Sequence, residues 1–316
     1  MAFHRAIAVV MLLALASAAT TVAAEETARE VRVEATIPRV GNVMGVGFDS
    51  LWMMNLTTNK LVRINPGDNS VTEIPIAGAG GEFSGAGLAV GEAAIWLPDT
   101  DRSMIYKIDP TTDRVAKEIP IDPLGAVGIP GRSGIAAGEG AVWAITSNNE
   151  LRRYSAEGGI QEAAVSLPSH SSGVIVAFGS VWITGTGNDE LYRVDPTTNQ
   201  IAAAIDLRSN PRSLAVGEGS VWVHNEGDGT VQRIDGKSGD LVATIETGAV
   251  GKGAIAIGGG FVWVSTRAEP IVQIDPRTNS VRSKFKIEMS EYSTIRFGGG
   301  SLWVSGSSVR RIKPPE

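Results

Sequence analysis

The chain has 316 residues, no cysteine, and 28 Lys and Arg against 34 Asp and Glu, for a formal net charge of −6. An acidic balance argues against general nucleic-acid binding, because affinity for a phosphate backbone comes from neutralising it with basic side chains. The lack of cysteine rules out disulfides, thiolate metal sites and cysteine nucleophiles, and no segment reaches the roughly 18 unbroken apolar residues that a membrane-spanning helix needs.

The chain opens MAFHRAIAVVMLLALASAATTVAAEE. Arg5 precedes an apolar run from Ala6 to Ala16, and small residues end at Val22-Ala23-Ala24, which is the pattern of a secretory signal peptide over residues 1–24. The remainder is therefore expected to be periplasmic or secreted and monomeric, with one domain over residues 31–316. Glu25 to Glu30 reads as a disordered acidic leader. Val31 to Ile37 alternates and is β-branched, then meets Pro38 and Gly41, which marks a strand and its exit. Nothing before it can pair with it.

From here the sequence repeats. Trp52, Trp96, Trp143, Trp182, Trp222, Trp263 and Trp303 are all the tryptophans of the chain, spaced 44, 47, 39, 40, 41 and 40 residues apart. A period of this length signals stacked supersecondary units. The copy VGEGSVWVHNEGDGTVQRID, Val216 to Asp235, shows the grammar. Leu214 to Val216, Ser220 to His224, Thr230 to Ile234 and Asp240 to Thr247 read as four strands, broken at Gly217-Glu218-Gly219, at Asn225 to Gly229 and at Asp235 to Gly239. The last of these breaks recurs as Asp109-Pro-Thr-Thr-Asp113, Asp195-Pro-Thr-Thr-Asn199 and Asp275-Pro-Arg-Thr-Asn279, with Asn65-Pro66-Gly67 as a variant. Proline presets the first corner and the Asx side chain caps the turn, so the recurrence points to structure rather than to a ligand.

In Ser-Val-Trp-Val the valines face one side of the strand and the tryptophan the other. Both sides are apolar, so both sheet faces are covered, and four-stranded sheets packed around an axis satisfy this. The expected fold is all-β, a seven-bladed β-propeller of four-stranded antiparallel blades. The blades fall at about 42–79, 86–122, 133–168, 173–208, 212–248, 253–288 and 293–313, the last joined by 31–38. The seventh unit has only three strands before the chain stops, and VEATIPRVG near the N-terminus resembles VATIETGAV, so the N-terminal strand is expected to complete it and close the ring.

A propeller leaves a central channel, and ligands reach it through the loops at one mouth. The repeat places those loops ten to twelve residues before each tryptophan, where the framework is constant but the residues differ: Asn42, Arg132, His170, Arg212, Lys252 and Tyr292. Arg132, Arg212 and Lys252 converge on one mouth in this reading, and three cations on an acidic protein suggest a small anionic or carboxylate-bearing ligand. Glu82, Glu288 and Glu291 lie nearby and can instead pair with them. Outside the signal the only histidines are His170, in a loop, and His224, at a strand end two residues before Glu226. His224 with Glu226 has the chemistry of a general base and a metal ligand, or of an ordinary polar strand end. No Walker loop, HExxH or EF-hand pattern occurs, and Asn55-Leu56-Thr57 is a glycosylation sequon, a weak signal.

VGEGSVWV, YRVDPTTNQIAAAIDL and QRIDGKSGDLVATIETG resemble the forty-residue repeats of YVTN-type β-propellers and of the related virginiamycin B lyase-like propellers of bacteria. The resemblance spans essentially everything after the signal. In the lyases it implies elimination at a magnesium-assisted site that uses His and Glu at the channel mouth and opens a cyclic depsipeptide ester. On this chain His224 with Glu226, or His170 with Glu291, would supply those groups. Three functions follow: an exported propeller binding a small anionic ligand or a protein partner at one mouth; a metal-assisted lyase or hydrolase with His224 as base and Mg as the implied ion; and a quinoprotein-type redox partner, for which no haem or quinone motif exists.

Overall fold

The computed structural model describes residues 28–38, 41, 43–55, 58, 60–76, 87–99, 102–121, 134–267, 271–287 and 293–314. The signal peptide expected over residues 1–24, Leu56 and Thr57 of the sequon, and the mouth candidates Asn42, Arg132 and Tyr292, with Glu82, Glu288 and Glu291, lie outside the described residues.

Seven four-stranded antiparallel sheets form a ring, each wound from an inner first strand to an outer fourth strand. In the fifth blade these strands are Pro211–Gly217, Ser220–Asn225, Thr230–Asp235 and Leu241–Glu246. First strands of consecutive blades pack against one another all the way round, the seventh against the first. Closure is as the sequence leads one to expect. Val33–Pro38 pairs antiparallel with Ser308–Ile312, matching Ile37 to Val309 and Thr36 to Arg310, and supplies the outer strand of the seventh blade.

The leader requires a correction. Arg29–Glu30 forms a short strand that pairs in parallel with the outer strand of the sixth blade, Arg29 opposite Phe285 and Glu30 opposite Lys286. The outer edge of a blade offers unpaired backbone groups, and the chain passes along it on the way to the closing position.

All seven tryptophans are at most 1% exposed. Val221 and Val223 pack toward the fourth blade and Trp222 toward the sixth, so both faces of the second strand are buried as the alternation requires. Each indole N–H donates to the carbonyl five residues earlier, at 2.9–3.2 Å. The tight turn between first and second strands brings that carbonyl within reach. It needs left-handed backbone at both central residues, met by Glu218 and Gly219 (φ 52° and 70°) and, without any glycine, by Glu92 and Ala93 (φ 51° and 56°).

The Asp-Pro-x-Thr-Asn turns are sockets for the neighbouring blade. Opposite each tryptophan on the third strand stands Arg63, Lys107, Arg153, Arg193, Arg233 or Arg311, with its charged head 5.0–5.5 Å from the centroid of that blade's indole. From there the side chain crosses to the next blade. Arg233 Nη1 donates to Pro276 O at 2.6 Å and Asn279 Oδ1 at 2.9 Å, and Arg311 Nη1 donates to Pro66 O at 2.5 Å, bridging the last blade to the first. Asn279, Asn199, Asn69 and Asp113 take left-handed φ of 51°, 56°, 61° and 55°, which turns their side chains to meet the arginine. The sixth blade has Gln273 in this place. Its neighbour is the seventh blade, where the two ends of the chain meet and no turn joins the third and fourth strands, so there is no socket to fill.

Candidate functional site

The inner strands enclose a channel cavity of about 400 Å³. Its wall is mostly apolar, with Met44, Leu88, Val176, Leu214, Ile257 and Phe297 among the contributors, and among the described residues the charged side chains lining it are Arg212 and Arg296.

Arg212 lies at the start of the inner strand Pro211–Gly217, at the mouth. Its Nε–H donates to Asn210 Oδ1 at 2.9 Å, and Nε pairs with Glu226 Oε2 as an ion pair at 3.4 Å. Glu226 is 4% exposed and wedged between the fifth blade and the loop entering the sixth. Its Oε1 accepts the Gly253 N–H at 3.3 Å, its backbone carbonyl accepts Gly251 N–H at 2.7 Å, and its own N–H donates to Asn210 O at 3.0 Å. The next turn, Gly227-Asp228-Gly229, reverses the chain, with Asp228 capping Thr230. One edge of the Arg212 guanidinium is thus clamped, and its Nη1 and Nη2 have no protein partner among the described residues.

His224 ends the second strand of this blade but turns away from the channel into the seam with the sixth blade. It is fully buried, and its Nε2–H donates to Ala249 O at 2.7 Å, while Nδ1 is enclosed without a partner. Burial lowers its pKa from the ordinary value, outweighing the Ala249 carbonyl and the charges of Glu226 and Asp228. The imidazole is therefore neutral, and a substrate would meet it only if the seam opened. Lys252 is exposed on the loop entering the sixth blade, next to the Gly251 that bonds Glu226. His170 is exposed in its loop, where its backbone carbonyl accepts from Gly187 N and Thr186 Oγ1. Of the sequence candidates that are described, Arg212, Glu226 and Lys252 come together, with His224 behind them.

Arg296 was missed by reading only the loop positions. It sits seven residues before its tryptophan, directly opposite Trp303. The equivalent residues of the other blades are Gly45, Ala89, Ala136, Ile175, Ala215 and Ala256, so the framework asks for a small or aliphatic side chain there. Extending the comparison of copies from the loops into the inner strand would have found it. Its Nη1 donates to Ile295 O at 2.8 Å and Thr294 Oγ1 at 3.4 Å, and no carboxylate pairs with it among the described residues. Burial pushes the guanidinium down to about 10, which leaves it charged at neutral pH.

These residues do not suit the magnesium that the resemblance implies. Mg²⁺ takes oxygen ligands in near-octahedral array, whereas Glu226 is already held by a guanidinium and a backbone N–H, and the nearby cation opposes a second. Among the described residues no group of three or more His, Asp or Glu is placed to hold a metal ion.

No family model matches the chain, and no curated protein matches it in sequence. Solved structures do match in shape. A streptogramin B lyase structure superposes with TM-score 0.70 at 18% identity, covering 91% of this chain and 96% of the lyase. The WD40 β-propeller domain of Doa1 gives 0.68 at 13% identity over 90% and 97% of the two chains. The β-propeller domain of Myceliophteria thermophila Cps50 (Swd1) gives 0.70 at 12% over 90% and 100%. At these identities the likeness is one of architecture, and the chain is a seven-bladed β-propeller built like that of streptogramin B lyase.

Proposed function

We propose that this is an exported binding propeller that takes a small anionic ligand at the mouth between its fifth and sixth blades. The observation that carries the reading is the Arg212 guanidinium, clamped on one edge by Asn210 and Glu226 and open on the other toward the channel. An oriented guanidinium with a free two-nitrogen edge is matched to a carboxylate or phosphate oxygen pair, and the exposed Lys252 adds positive charge on the loop entering the sixth blade. A protein partner would use the same feature through an acidic side chain inserted at the mouth. Calorimetric titration of the protein with acetate, citrate and inorganic phosphate tests it. Saturable binding that weakens about tenfold or more in Arg212→Ala is expected, and no binding of any anion would refute it.

A second reading draws on the likeness to streptogramin B lyase: ring opening of a streptogramin B by this chain. Incubation with that compound and mass spectrometry of the product decides it. Turnover that vanishes in His224→Ala with the fold intact would support the assignment of His224 as base; no turnover by the wild-type protein would end it.

A further inference from the structure

A guanidinium inside a propeller channel has to be explained by what it does there. Removing a charged group from water is costly unless it is paired and hydrogen-bonded, and the neighbouring copies of this strand show that the fold does not require it: four of the other six blades place alanine at the same register and a fifth places glycine. Arg296 has no acidic partner among the described residues, and only its Nη1 is used, on the carbonyl of Ile295 and the hydroxyl of Thr294. Both acceptors belong to the residues just before Arg296, on its mouth side, so the side chain folds back toward the entrance. Its Nε and Nη2 form the remaining edge, a parallel pair of donors without a protein acceptor among the described residues. Arg212 stands three register positions nearer the mouth on its own strand, roughly 10 Å at ~3.3 Å per residue, and already has the Glu226 carboxylate. The described charges facing the channel therefore leave one positive charge uncompensated, that of Arg296.

Around these two groups the wall is apolar. Leu214 and Ile255, Val174 and Val176, Ile257 and Phe297 all face the same cavity of about 400 Å³, within the range of small-molecule sites. A hydrated inorganic anion would gain from the guanidinium but nothing from the wall. A neutral hydrocarbon would gain from the wall and leave the guanidinium unsatisfied. A molecule with one carboxylate and a short apolar body satisfies both.

We infer that the channel is a binding site for an amphipathic monocarboxylate, its carboxylate received by the open Nε and Nη2 edge of Arg296 and its apolar body held by the inner strands. The inference rests on the anion-binding reading of the mouth and adds to it a ligand class and a deeper seat. Arg212 then acts at entry, where its own open edge meets the carboxylate first, and Arg296 holds it.

The test uses hexanoate, with acetate and hexan-1-ol as probes of each half, titrated by calorimetry into the wild-type protein, Arg296→Ala, Arg296→Lys and Arg212→Ala. Hexanoate should bind the wild type at least tenfold more tightly than acetate or hexan-1-ol. Arg296→Ala should lose tenfold or more of that affinity, Arg296→Lys should recover part of it, and the thermal midpoint of Arg296→Ala should not fall, since alanine is the resident of this position in other blades. A purely structural arginine would lower the midpoint and leave hexanoate affinity unchanged, and that result overturns the inference. Anion binding that depends on Arg212 but is indifferent to Arg296 and to chain length keeps the mouth reading and removes the channel site. No binding of any carboxylate removes the channel site, and if inorganic phosphate also fails to bind the mouth reading falls with it.

Discussion

Replacing Glu226 by Gln isolates the charge that clamps Arg212. The amide keeps an oxygen for the Gly253 N–H, now 3.3 Å from Oε1, so the loop entering the sixth blade retains its anchor while the ion pair at 3.4 Å becomes a neutral contact. Two unit charges at that separation attract by about 5 kcal/mol at an effective dielectric of 20. Most of this is offset by the desolvation of a carboxylate that is only 4% exposed. Arg212 keeps 20% of its side-chain surface open to the channel and can recover water there. The net loss should be about 1–3 kcal/mol, a fall of roughly 2–8 °C in melting temperature for a chain of this size. The same change removes the negative charge beside the open guanidinium edge, so affinity for hexanoate or phosphate should rise roughly threefold to tenfold, with a steeper dependence on salt. Calorimetry and a thermal melt on the same sample measure both. A variant that is less stable and binds anions more weakly would refute the clamp, because it would make Glu226 part of the ligand site rather than a brace behind it. A variant unchanged in both would show the pair to be idle.

Two further outcomes follow from the framework. Arg233→Ala removes a head 5.0 Å from the Trp222 centroid and the bonds to Pro276 O and Asn279 Oδ1, and should destabilise the protein by about 2–3 kcal/mol in urea; Arg233→Met, which keeps the stem on the indole, should recover less than half, and full recovery would show that packing alone matters. His224 has a folded pKa below its ordinary value because burial disfavours the imidazolium. Its contribution is complete above the unfolded pKa of about 6.5 and is lost as pH falls from there toward the depressed folded value, by at most about 1.4 kcal/mol per pH unit. Urea midpoints between pH 7 and 5 should therefore flatten in His224→Gln, and an unchanged slope would place the titration elsewhere.

Much of the fold was legible because it is written seven times. Trp222 and its six counterparts mark the second strand of every blade, and the mismatch between three C-terminal strands and one unpaired N-terminal strand foretells the closure between Val33–Pro38 and Ser308–Ile312. The pairing of Arg29–Glu30 with the sixth blade was not legible, since two residues carry no alternation and their partner is an edge some 250 residues away. The arginine sockets were half legible. Asp-Pro-x-Thr-Asn announces a turn, but only the crossing of Arg233 to Pro276 shows why its last residue must present an oxygen.

Departures from the repeat were legible in the loops and not inside a strand. Arg212, Glu226 and Lys252 do gather at one mouth. His224 reads as accessible because it precedes a loop, yet strand alternation puts it on the tryptophan side, and that side is the seam between blades. Arg296 escaped notice because a channel-facing position has no sequence signal of its own; only comparison with Ala215 and Ala256 at the same register reveals it.

The most direct measurement is a crystal of the protein soaked in 6-bromohexanoate, with data collected at the bromine absorption edge. The predicted result is a bromine peak inside the ring of inner strands, with the carboxylate on the open edge of Arg296 or Arg212. A peak only on the outer faces of the blades, or none at a concentration that saturates binding in solution, would contradict a ligand site in the channel.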